Sequence, residues 1–135
     1  MSALEAATLP MLLTELRLPT IKRLWPDLAE QSNREGWPAE RFLTALCEHE
    51  MNERETRRID RHRMESCLPP DKRLADFDFA AVPTVSKAHV TALTEGDSWV
   101  EQGANLLLFG PPGVGKTHLI AGIGHGLIER GYRVL

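Results

Sequence analysis

Eight consecutive residues carry the most specific chemistry in the chain: Gly110-Pro111-Pro112-Gly113-Val114-Gly115-Lys116-Thr117. They satisfy the pattern G-x-x-x-x-G-K-[ST] of the phosphate-binding (Walker A) P-loop, and each residue type has its own task. Gly110, Gly113 and Gly115 allow positive φ and close approach, so successive backbone N–H groups can converge on an anion. The positive end of a helix starting near Lys116 adds to that field. Lys116 is expected to reach the β- and γ-phosphates of a nucleotide, and the Thr117 hydroxyl to ligate Mg²⁺. Pro111 and Pro112 stiffen the first turn. A chance glycine loop is the competing reading, and eight matching residues with suitable flanks weigh against it. Hydrolysis is a separate matter. It needs an acid at the end of a later strand and an arginine for the transition state. Beyond Thr117 the only carboxylate side chain is that of Glu129.

The loop needs elements to hold it. Residues 105–109 (NLLLF) form a short continuous apolar run, which predicts a strand buried on both faces. Residues 118–130 carry helical spacing at Leu119, Ile123, Leu127 and Ile128, Gly131 is the stop, and residues 132–135 begin a second strand. Strand, loop, helix and strand make half of a P-loop α/β domain. Gly122, Gly124 and Gly126 lie inside that helix at a cost of about 0.8–1 kcal/mol each relative to Ala. Either close helix–sheet packing requires them or the helix is weak.

Upstream, one spacing occurs three times. Leu9/Leu12/Leu13/Leu16, Ile21/Leu24/Trp25/Leu28 and Ala39/Phe42/Leu43/Leu46 each fall at i, i+3, i+4, i+7. That predicts three amphipathic helices. Thr8 is the expected N-cap of the first with Pro10 in its first turn, Gly36 the stop of the second, and Pro38 the opening of the third. Pro26 should kink the second helix or restart it. The third is expected to run to about residue 66, with six acidic and five arginine side chains between Glu48 and Glu65 and i, i+4 pairs Glu50–Arg54 and Glu53–Arg57. Residues 67–104 read as a connector, broken by Pro69, Pro70 and Pro83, with a short helix over 86–93 capped by Ser86 and ended by Gly96. The expected organisation is a helical domain over 1–66, a connector over 67–104 and the start of a P-loop domain over 105–135, α/β overall.

Composition excludes several classes. A chain of 135 residues with 42% hydrophobic and 26% charged residues is globular in character. A net charge of −3 does not suit coating nucleic acid by bulk charge, although it leaves room for a local basic patch. No apolar run approaches the ~18–20 residues of a membrane span. The N-terminal stretch has Glu5 and no basic residue before Arg17, the wrong charge for a signal peptide. Two cysteines, Cys47 and Cys67, fit a reducing cytoplasm. With His49 and His62 they match no zinc spacing.

Several motifs occur in a telling order: Trp37-Pro38-Ala39-Glu40-Arg41-Phe42-Leu43, the Arg-rich helix with Glu53-Arg54-Glu55, Asp76-Phe77-Asp78-Phe79, Ser98-Trp99-Val100-Glu101, and Leu106 to His118. Together they resemble the IstB family, ATP-binding helper proteins of bacterial insertion sequences related to the DnaC/DnaI helicase loaders. The resemblance implies a helical N-terminal domain joined to an AAA+ ATPase domain, ATP with Mg²⁺ as cofactors, and self-association on DNA. It also implies work with a transposase that selects a target. Carried over by position, the nucleotide site is Gly110 to Thr117 with His118 next in line. Family members continue through metal-binding acids, a sensor residue and an arginine finger that these residues do not include, so the expectation is an N-terminal portion that binds ATP rather than hydrolysing it. Two other readings compete: a replicative helicase loader, separated by its gene neighbourhood, and a non-enzymatic helical module with an inert nucleotide fold. Arg54, Arg57, Arg58 and Arg61 form one ridge at i, i+3, i+4, i+7, suited to DNA phosphates or to pairing with neighbouring acids. Phe77 and Phe79 are suited to packing near an adenine ring or to docking the connector.

Overall fold

The computed structural model describes residues 2–95 and 98–135, so Gly96, the expected end of the short helix, lies outside the described residues. Among the described residues every regular element is helical. This corrects the α/β expectation. Residues 105–109 and 132–135 are irregular, and neither enters a ladder. An apolar run shows that side chains suit burial, but a strand exists only through hydrogen bonds to a neighbour. Here Leu108 packs on a helical core while Leu107 and Phe109 are 73% and 89% exposed.

The chain forms two compact units, Met1–Arg57 and Arg58–Leu135. The first contains α1 (Ala3–Glu15), α2 (Pro19–Glu35) and the first part of α3 (Ala39–Ser66). α1 starts at a capping box: Glu5 N–H donates to Ser2 Oγ (3.2 Å) and Ser2 N–H to Glu5 Oε2 (2.6 Å). Two reciprocal bonds outcompete the expected cap at Thr8, which with Pro10 sits inside the helix. The backbone and side-chain bonds from Ser2 hold the Glu5 carboxyl below the ordinary glutamate range. α2 opens with Pro19, runs through Pro26 without restarting, and ends at Gly36, whose φ of +64° satisfies the left-handed stop. Leu13, Ile21 and Leu46 form the core, with Leu9, Leu18, Trp25, Leu28 and Phe42 packed around it. Each comes from one of the three repeated quartets or lies beside one. Leu12, Leu16 and Leu43, also in the quartets, remain exposed.

α2 has no side-chain cap of its own, because Leu18 stands at the capping position. Glu50 of α3 supplies one. Its Oε2 accepts from the backbone N–H groups of Thr20 and Ile21, both at 2.9 Å, and its Oε1 lies 3.4 Å from Arg54 Nε. Glu50 is 3% exposed and Thr20 1%. A carboxylate on α3 thus satisfies orphan donors at the start of α2.

The second unit contains the end of α3, α4 (Lys87–Thr94), α5 (Ser98–Glu101) and α6 (Lys116–Glu129). Ser86 caps α4 by accepting from His89 N–H, as its position predicts. α6 ends at Gly131 (φ +95°), where Gly131 N–H bonds the Ile128 carbonyl and Tyr132 N–H the Leu127 carbonyl. Val90 of α4 and Leu119, Ile123 and Leu127 of α6 make the core of this unit. Between α3 and α4, residues 68–79 form a strap with a short 3₁₀ turn at Leu74–Asp76.

Candidate functional site

Gly113 and Gly115 both adopt positive φ, +84° and +92°. Gly115 is the residue that opens α6; it has no side chain to cap that end, and among the described residues no other side chain is seen to do so. The first intrahelical bond runs from Leu119 N–H to the Gly115 carbonyl (3.0 Å). The amides of Lys116, Thr117 and His118 therefore have no intrahelical acceptor, and the positive end of the helix dipole stands with them. Pro111 and Pro112 are exposed, as is Thr117, while Val114 is half-buried, with its Cγ2 3.2 Å from where a Gly110 Cβ would stand. Lys116 turns back over the loop. Its Nζ donates to the carbonyls of Gly110 (2.6 Å) and Pro111 (2.8 Å). The ammonium thus spans the loop mouth on neutral carbonyls, which are weaker partners for it than a charged oxygen would be.

Behind the loop lies the strap. Phe77 Cε2 is 2.8 Å from where a Gly115 Cβ would be. The Phe77 ring meets Phe79 edge-on at 4.8 Å and His118 edge-on at 5.3 Å. His118 Nε2 is 2.6 Å from the Arg73 carbonyl, which can only accept, so Nε2 carries the proton. The aromatic residues of the Asp-Phe-Asp-Phe element therefore dock the connector against the glycine loop. The three helix glycines are explained in the same way. A Cβ at Gly122 would stand 2.7 Å from Leu74 Cδ2, one at Gly124 2.7 Å from Leu68 Cδ1, and one at Gly126 2.7 Å from Thr94 Cβ. Close packing is the reason for the glycines, and the close neighbours are the strap and α4 rather than a sheet. Docking the connector was one of the two roles the sequence suggested for Phe77 and Phe79; the face of α6 that they and the strap meet was not read from it, although the i, i+2, i+4 glycines were a visible signal.

The remaining candidates fall elsewhere. Glu129 accepts from Arg63 (3.0 Å) and lies 3.5 Å from Arg73, at the opposite end of α6 from the loop. In the arginine ridge, Arg54 donates to the Arg17 carbonyl (2.8 Å) and Arg57 to Thr20 Oγ1 (2.9 Å), and the Arg58 guanidinium packs against Gly131. Two members of the ridge thus tie α3 to the turn before α2 and to its first residues. Arg61 is exposed. Cys47 and Cys67 are free and exposed, and among the described residues no three metal-ligating side chains gather. No helix among the described residues is long and apolar enough to cross a membrane.

A glycine turn at a helix start, with a lysine over it, is an arrangement whose chemistry suits an anion. Comparison with known proteins makes the class specific: the chain belongs to the IstB-like ATP binding protein family, which matches over residues 11–135. It is 60% identical over 134 residues to an insertion sequence ATP-binding protein of Sinorhizobium fredii, covering 99% of this chain and 45% of that one. It is 36% identical over 118 residues to one from Geobacillus stearothermophilus (87% and 47% covered). With an insertion sequence ATP-binding protein of Pseudomonas aeruginosa the identity is 34% over 127 residues (94% and 48%). The chain spans about half the length of the curated relatives it matches.

Proposed function

We propose that the loop from Gly110 to Thr117 takes the triphosphate of ATP. In this reading the amides of residues 113–118 and the α6 dipole receive the phosphate oxygens, and Lys116 leaves its carbonyl partners for the β- and γ-phosphates. The observation that carries the reading is the uncapped start of α6 behind two positive-φ glycines, with Lys116 Nζ held only 2.6–2.8 Å from loop carbonyls. Thr117 is suited to give Mg²⁺ one hydroxyl oxygen beside the phosphate oxygens of the nucleotide. The relatives' names associate such proteins with insertion sequences. The corresponding proposal is that this chain serves DNA transposition in the cytoplasm. There it would use ATP to assemble on DNA and to assist a transposase in choosing its target.

The test is a titration of the full chain with Mg·ATP, alongside Lys116→Ala and Thr117→Ala. Binding by the wild type that is lost in Lys116→Ala, and that in Thr117→Ala no longer depends on Mg²⁺, is the expected result. Equal affinity in wild type and Lys116→Ala would count against the loop as the phosphate site.

A further inference from the structure

The strap meets α6 at successive points toward its start: Leu68 at Gly124, Leu74 at Gly122, the Arg73 carbonyl at His118, and Phe77 at Gly115. The last two contacts converge on the residue whose left-handed φ of +92° opens the helix. Phe77 fills the space that any side chain at position 115 would need, and its ring is buttressed edge-on by His118. His118, three residues into the same turn, is fixed by its bond to the Arg73 carbonyl.

We infer that Phe77 and His118 are positioning residues for the phosphate loop, holding Gly115 in its left-handed conformation so that the first amides of α6 stay turned toward the ligand. This rests on the proposal that the loop binds a nucleotide phosphate, and it adds two residues outside the glycine–lysine motif. Neither side chain needs to touch the phosphate. A preorganised loop spares the ligand the cost of ordering it, so loosening the clamp should appear as lost affinity.

The experiment uses the full chain and two readouts. The first is amide hydrogen exchange at residues 113–118 without nucleotide; the second is affinity for Mg·ATP. Phe77→Ala and His118→Ala should speed exchange at these amides and weaken Mg·ATP by about tenfold, a loss in keeping with one edge-to-face ring pair and one hydrogen bond. Phe77→Tyr keeps the ring, and His118→Gln keeps an N–H donor for the Arg73 carbonyl. Both should stay near wild type in both readouts. Where an alanine variant fails to fold, Phe77→Leu, which keeps the bulk but not the edge-to-face contact, takes its place with the same expectation. Unchanged loop exchange in the alanine variants would overturn the inference, whether or not affinity falls, and so would equal losses in the conservative variants. If wild type and Lys116→Ala both fail to bind ATP, the nucleotide reading falls, while the exchange readout still decides whether the pair positions the loop.

Discussion

Replacing Glu50 with alanine should be among the most damaging single changes in the first unit, and the structure sets the size of the effect. The Glu50 carboxylate is 3% exposed and accepts from two backbone amides at 2.9 Å. Alanine removes the acceptor and leaves the Thr20 and Ile21 N–H groups stranded, in residues that are themselves buried. A stranded buried donor costs about 1–3 kcal/mol. Arg54 loses a partner as well, but it is half exposed and keeps its bond to the Arg17 carbonyl, so its share is small. The sum is about 3 kcal/mol, at the lower edge of the ~3–5 kcal/mol seen when a buried ion pair is broken. A unit of ~60 residues has a total stability of about 3–9 kcal/mol, so the melting temperature should fall by roughly 12–24 °C. Glu50→Gln keeps an oxygen for the amides and gives up only the charge; about 1 kcal/mol is expected. Urea unfolding in a Trp99→Phe background, followed by far-UV circular dichroism and the fluorescence of Trp25 and Trp37, measures both variants. Glu48→Ala, exposed on the same helix, is the control and should stay within about 0.5 kcal/mol of wild type. If Glu50→Ala also stays within that range, the cross-helix cap is not what holds the start of α2.

Two further outcomes follow from packing and charge. Gly122→Ala would ordinarily stabilise a helix by about 0.8–1 kcal/mol, but its Cβ would stand 3.1 Å from the Leu74 backbone nitrogen as well as 2.7 Å from Leu74 Cδ2. A net loss of about 1–3 kcal/mol is expected in thermal melts, partly relieved by adding Leu74→Ala; a stabilised Gly122→Ala would contradict the packing account. Glu5 is bound in its charged form by Ser2, so its folded value lies below its unfolded one. The capping box contributes above the unfolded value, and its contribution is lost as pH falls through the folded one. Amide signals of residues 3–6 should therefore report fraying of α1 below about pH 4.5, the ordinary value, and a Glu5→Gln variant should lack that pH dependence.

The helices were legible because their signals are local. Ser86, Gly36 and Gly131 act within a turn or two of themselves, and the spacing that marks Leu13, Ile21 and Leu46 as core residues is read within each helix. Even the misplaced cap at Thr8 was a contest between local motifs that Ser2 and Glu5 won. Contacts across long sequence separations were not legible. Glu50 read as half of an i, i+4 ion pair with Arg54, but its principal partners lie 29 and 30 residues away. The run at 105–109 read as a strand because apolar composition reports suitability for burial, whereas a ladder needs a neighbour that composition does not specify. For the candidate site, residues 110–117 could be named from the motif, since the chemistry of a glycine–lysine loop is written in consecutive residues. Phe77 and Phe79 could be read as docking residues, but not the surface they dock on, because Phe77 lies 38 residues before Gly115 in the chain.

That separation bears on how substitutions in α6 should be understood. Gly115, Gly122 and Gly124 meet a single segment, residues 68–79, so the space for the loop and the space for the helix body are set by the same surface. A side chain added at Gly122 must push on Leu74, and Leu74 lies next to Arg73, whose carbonyl holds His118. Damage there is therefore transmitted toward the loop even though Gly122 is two turns from Lys116. A glycine tolerated only for helix flexibility would show the opposite behaviour, with alanine stabilising the helix and leaving the loop untouched. Gly126 offers the internal comparison, because its close neighbour is Thr94 of α4 rather than the strap. Gly126→Ala should cost stability without speeding amide exchange at residues 113–118, whereas Gly122→Ala should do both. Equal loop exchange in the two variants would mean that the strap and the loop are not mechanically joined.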